Sequence, residues 1–198
     1  MGRKIVVEIV NDRPRNYYFK DSISNEISYD KSVEVDEDNI DLSKLDCYVY
    51  SNNELKIDTV LLEAKKNNEK STIKSYILRD LEIAKRDNLN QEIEIDVQID
   101  GNNEKVKFIN SELDRRMFMS NLVLMKILNK NKFKIKVRKS DNKIIFIETT
   151  DDIINKISDE IYNNMEQVEL IEQTVLQGLD KYTLEQLKDI NVYDYFRQ

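Results

Sequence analysis

The sequence predicts an α+β protein of small antiparallel β-hairpins packed with long helices, divided into two small domains. Three observations predict it. Ile93, Ile95, Val97 and Ile99 alternate with Glu92, Glu94, Asp96 and Gln98, a period of two that lays one face of a strand on a core. Ile154, Ile157, Ile161, Met165, Val168, Ile171 and Val175 recur at steps of three and four, the period of an amphipathic helix. Short β-rich runs come in pairs, separated by clusters of Asn, Asp, Ser and Gly that favour tight turns.

In chain order, residues 4–10 and 16–20 form the first hairpin, around Asn11, Asp12, Arg13 and Pro14. Residues 21–44 are acidic and mixed, and Val33 with Val35 marks one short strand within a loop. Residues 47–50 and 54–57 make a second hairpin through Ser51, Asn52 and Asn53. Asp58 caps a helix running to about Asp87, because a carboxylate there accepts the free amide hydrogens of the first turn. Its second half carries the stripe Ile73, Ile77, Leu81 and Ala84; its first half has none and is expected either as a solvated stretch of helix or as a separate turn.

After the alternating strand, Asp100, Gly101, Asn102 and Asn103 turn the chain into Val106 and Phe108. Ser111 caps a helix with Leu113, Met117, Leu124 and Leu128 along one side. A further hairpin joins 133–138 to 143–147 through Ser140, Asp141 and Asn142. Thr150, Asp151 and Asp152 start a long helix, where a hydroxyl and two carboxylates meet the positive end of the helix dipole. Gly178 is the expected stop. Thr183 with Gln186 makes a capping box for a short last helix, and Tyr193, Tyr195 and Phe196 close the chain. The domains are expected at 1–90, an attachment module, and 91–198.

Composition narrows the chemistry. The 198 residues include no His, one Cys and no Trp, so the usual proton shuttle and the soft metal ligands are missing. Three Gly and one Pro leave no glycine-rich phosphate cradle, and no GxGxxG or GxxxxGKS/T pattern occurs. Neither a catalytic site nor a cofactor is expected. A net charge of -7 repels polyanions on average, which disfavours nucleic acid as the main partner. No apolar run approaches the roughly 20 residues that span a bilayer, and a lone Cys47 without a signal-like opening fits synthesis in a reducing cytoplasm.

Residues 91–195 resemble a C-terminal domain of unassigned biochemical role found in tail-fibre and tail-fibre-assembly proteins of tailed phages. The matching features are the opening strand and turn ending in Asp100 and Gly101, Phe108, and the helix start around Ser111, Leu113 and Arg115. The hairpin with its Ser-Asp-Asn turn, then Thr150, Asp151 and Asp152, and the closing Thr183, Leu184, Glu185, Gln186 and Leu187 follow in the same order. The first half is similar in style to N-terminal modules of Gram-positive phage tail proteins, in the hairpin over 48–57 feeding a charged helix. The resemblance implies a non-enzymatic component of a phage tail or phage-tail-like bacteriocin, made in the bacterial host cytoplasm and bound at the baseplate or tail fibre. Its partners would be tail, baseplate and fibre proteins, or further copies of itself. A tail-fibre assembly chaperone is the alternative, and a small nucleic-acid-binding or nuclease protein the third reading.

The candidate partner-binding residues are Ile154, Ile157, Ile161, Met165, Val168, Ile171 and Val175, with Tyr193, Tyr195 and Phe196 as interface anchors. A stripe of that length either covers the hairpins of its own domain or pairs with a second chain. The trimeric habit of tail fibres, implied by the resemblance alone, adds weight to pairing. Lys134, Lys136 and Arg138 share one strand face, either a docking face for an acidic partner or phosphate backbone, or a solvated face that discourages edge-to-edge aggregation. The run Asp36, Glu37, Asp38, Asn39, Asp41 lacks the glycine and distal Glu of a calcium loop and is expected as a solvated turn. Asp58, Glu63 and Lys65 have the residue types of a metal-dependent nuclease, but they fall on the first turns of a helix.

Overall fold

The computed structural model describes residues 3–20, 31–99 and 101–197. It has an α+β architecture of hairpins and long helices, in two compact units, Met1–Thr72 and Ile73–Gln198. The division falls inside a helix, upstream of the boundary expected near residue 90. Ile77, Leu81 and Ala84, the apolar part of that helix, pack with the C-terminal unit, and the physical cause is the stripe itself.

In the first unit, β1 (Lys4–Val10) is central in a three-stranded antiparallel sheet, between β2 (Arg13–Phe19) and β3 (Ser32–Asp36). The turn from β1 to β2 is two residues, Asn11 and Asp12, both at positive φ, which matches the twist of paired strands. Pro14, expected in the turn, lies in edge strand β2 opposite Ile9, where the register shifts. An edge strand beside a bulge tolerates the missing amide hydrogen. Ile5, Val7 and Ile9 form the core with Ile40 and Tyr48. The acidic run is not a plain loop: 3-10 turns occupy Glu37–Asn39 and Leu42–Cys47. Residues 21–30 of that stretch lie outside the described residues.

β4 (Tyr48–Ser51) and β5 (Glu54–Ile57) form the second hairpin, again on two residues, Asn52 and Asn53, at positive φ. α1 (Thr59–Leu89) follows without a break. Asp58 caps it as expected, its Oδ1 accepting from the amides of Val60 and Leu61 at 3.1 and 3.2 Å.

This unit holds carboxylates that are stabilised as anions. Asp41 is held down to about 2 by hydrogen bonds from Lys44 and Ser43. Asp46 is lowered by Lys65, and Asp58 by the Leu61 amide and by Arg13. A depressed folded-state pKa contributes stability that is present above the ordinary carboxylate value of 3.8 and lost as pH falls through the folded value. Acid titration from pH 4 towards about 2 should therefore loosen the turns around Asp41 and Asp46. Carboxyl-carbon NMR shifts check it: Asp41 should titrate last, and Asp41→Asn should flatten that part of the stability profile.

In the second unit, β6 (Ile93–Ile99), β7 (Asn102–Phe108), β8 (Lys134–Arg138) and β9 (Ile144–Glu148) form one antiparallel sheet in chain order. Ile99 pairs with Asn102, so Asn102 and Asn103 belong to β7 and not to the turn; Asp100 lies outside the described residues. β7 and β8 pair over two positions only, Lys107 with Arg138 and Phe108 with Val137. α2 (Glu112–Ile127) connects those strands, capped by Ser111, whose Oγ accepts from the Asp114 amide.

α3 (Asp151–Leu179) serves two cores. Ile153, Ile154, Ile157 and Ile161 cover the sheet residues Ile93, Ile95, Val97, Val106, Phe108, Ile135 and Val137. Val175 and Leu179 meet Ile77, Leu81 and Ala84 of α1, with Leu187 of α4 (Leu184–Lys188) and Val192 of α5 (Val192–Tyr195). Gly178 does not end α3, which runs to Leu179. Its role is space: a Cβ there would stand 2.7 Å from Cζ of Tyr182. The Thr183 and Gln186 capping box is formed in both directions.

Candidate interaction surface

The long stripe is covered by its own chain. Ile154, Ile157, Ile161, Val168 and Val175 are all buried, and Ile171 packs against the α1, α3, α4 and α5 core. Of the seven residues expected to bind a partner, only Met165 is exposed, at 56%. The stripe is thus an internal face, because the sheet and α1 offer it enough apolar surface. Tyr195 and Phe196 fold back on the same core, and Tyr193 is 37% exposed. Burial raises the Tyr195 hydroxyl pKa, with Tyr182 beside it.

The basic strand is largely neutralised by carboxylates of its own unit. Lys136 pairs with Asp114 of α2 at 3.0 Å, Arg138 with Glu92 at 2.8 Å and Lys139 with Glu104 at 2.7 Å. Lys134, opposite Glu148 in the register, is exposed. Two of the three cations proposed for docking are therefore engaged before any partner arrives. The nuclease-like trio is also dispersed in role: Asp58 caps α1 and pairs with Arg13, while Lys65 pairs with Asp46. Among the described residues no group of three His, Cys, Asp or Glu side chains comes together to hold a metal ion. Among them, too, no helix is long and apolar enough to cross a membrane.

A different surface emerges on α2. Phe118, Leu122 and Met125 face the core, with Phe118 1% exposed and 5.6 Å from the ring centres of both Phe108 and Phe133. The expected apolar side, Leu113, Met117, Leu124 and Leu128, points to solvent at 66, 54, 49 and 57%. Met119, Val123 and Ile127 are exposed as well, so between 118 and 128 the helix is apolar almost all round. Such helices are ordinarily buried.

Leu113 and Met117 share a groove of roughly 180 Å³ with Phe118, Ile135, Lys134, Lys136 and Phe146. Phe146, 69% exposed, lies on β9, an outer strand of the sheet, and Ile144 beside it on the same face is 49% exposed. Neither was expected as a surface residue of interest. The signal was present in Ile144, Ile145, Phe146 and Ile147, an edge strand apolar on both faces where one suffices for the core.

The N-terminal end of α2 is fixed by Arg115. Its Nη1 donates to the Leu89 carbonyl, to the Asn110 carbonyl at 2.6 Å and to Asn90 Oδ1 at 3.2 Å. Burial lowers the guanidinium pKa. Asn110, 1% exposed, donates from Nδ2 to the Leu89 carbonyl at 2.9 Å. One cation thus ties the end of α1 to the start of α2, which holds the exposed apolar face in place.

No family model, characterised protein or solved structure matches this chain.

Proposed function

We propose that this chain is a non-enzymatic structural component of a phage or phage-tail-like bacteriocin tail, held at the baseplate or tail fibre by protein contacts. The observation that carries the binding role is the extent of exposed apolar surface on α2, where Met119, Val123 and Ile127 are exposed beside the side that carries Leu113 and Met117. A face of this kind is costly in water and is a feature of surfaces that meet other proteins. The tail context is supported by the resemblance over 91–195, whose order of hairpin, helix, hairpin, long helix and short helix is the order of β6 to α4.

Mass spectrometry of purified tail particles from the producing cell tests this reading. The chain should be present at a fixed ratio to baseplate or fibre proteins. Its absence from particles, with co-purification on unassembled fibre subunits, would overturn that role and favour the assembly chaperone.

A further inference from the structure

We propose that β9 and the adjoining side of α2 form a two-fold interface with a second copy of this chain, in which β9 pairs antiparallel with its counterpart across Phe146. The two outer strands of the sheet differ in a telling way. On the outward face of β6 stand Glu94, Asp96 and Gln98, which discourage another strand from pairing. On the outward face of β9 stand Ile144 and Phe146, which invite one.

Self-pairing satisfies the register. In an antiparallel ladder, facing residues must lie on the same side of the sheet, so their numbers must sum to an even value. Centred on Phe146, the pairing sets Ile145 opposite Ile147 of the other copy, which extends the inner core face beyond Ile135 and Val137. On the outer face the two Phe146 rings meet at the axis.

The area is of the right size. Leu113, Met117, Leu124, Leu128, Ile144 and Phe146 expose half to two-thirds of their surface. At on the order of 200 Å² for a large side chain, they present about 600–700 Å² together. A specific interface takes about 800 Å² from each partner, and an isologous contact offers the same patch twice. The inference rests on this patch and not on the tail reading, so a dimeric chain absent from particles would overturn that reading alone.

Sedimentation equilibrium of the full chain tests it. The wild type should dimerise with a micromolar or tighter constant, and Phe146→Asp should weaken association at least ~100-fold with an unchanged circular dichroism spectrum. Met117→Lys, on the helix side of the patch, should weaken it in the same direction. Under mild oxidation Phe146→Cys should give a disulfide-linked dimer, whereas Ile144→Cys should not; the wild type, with only buried Cys47, is the control. A wild type that stays monomeric to about 100 µM would overturn the proposal. So would a dimer indifferent to both Phe146→Asp and Met117→Lys, or equal cross-linking at 144 and 146.

Discussion

Replacing Phe118 with Ala should cost the C-terminal unit about 3–5 kcal/mol, the range for removing a buried aromatic ring. Phe118 is 1% exposed and sits between Phe108, at the end of β7, and Phe133, just before β8. Those strands pair over only two positions, so the ring fills space that a longer ladder would have closed. Two tilted ring pairs add specific contacts of about 0.5–1.5 kcal/mol each, which places the loss towards the upper end. Urea unfolding followed by far-ultraviolet circular dichroism reads the effect. Leu124→Ala, on the exposed side of the same helix, should change stability by less than about 1 kcal/mol. Equal losses would mean that both sides of α2 are packed.

Arg115→Ala should destabilise the same unit by about 2–3 kcal/mol, the scale for losing hydrogen bonds from a charged donor to partly buried acceptors. The Leu89 and Asn110 carbonyls and Asn90 Oδ1 all lose their shared donor at once. Arg115→Lys keeps the charge but cannot present the planar fork, so it should recover only part of the loss. Amide hydrogen exchange should show the change first at the end of α1 and the first turn of α2. Exchange rates unaltered there would contradict the role of Arg115 as the tie between them.

Much of the fold was legible because its local signals are strong. The two-residue turns at Asn11–Asp12 and Asn52–Asn53, the caps at Asp58, Ser111, Thr150 and Thr183, and the alternation in β6 all concern neighbours in sequence. What covers a face is not local. The stripe from Ile154 to Val175 was visible, but its coverage by the sheet and by α1 depends on strands and a helix dozens of residues away. On α2 periodicity marked one apolar side, Leu113 to Leu128, without marking which side is buried, since a helix apolar nearly all round has no preferred face until Phe118 finds Phe108 and Phe133. Lys136 and Arg138 likewise shared a strand face in sequence, while their partners Asp114 and Glu92 become neighbours only through folding. Gly178 resembled a helix stop because a glycine near a helix end usually is one, whereas here the Tyr182 ring requires the space.

Partner binding through α2 depends on which of its sides faces water, and methionine oxidation measures this directly. In dilute wild-type protein Met117 and Met119, 54 and 51% exposed, should react much faster than Met125, which packs on the core. Raising the concentration should then protect Met117, within the proposed patch, more than Met119. Faster oxidation of Met125 than of Met117 would contradict the account, because the apolar face assigned to a partner would then be the one turned inward.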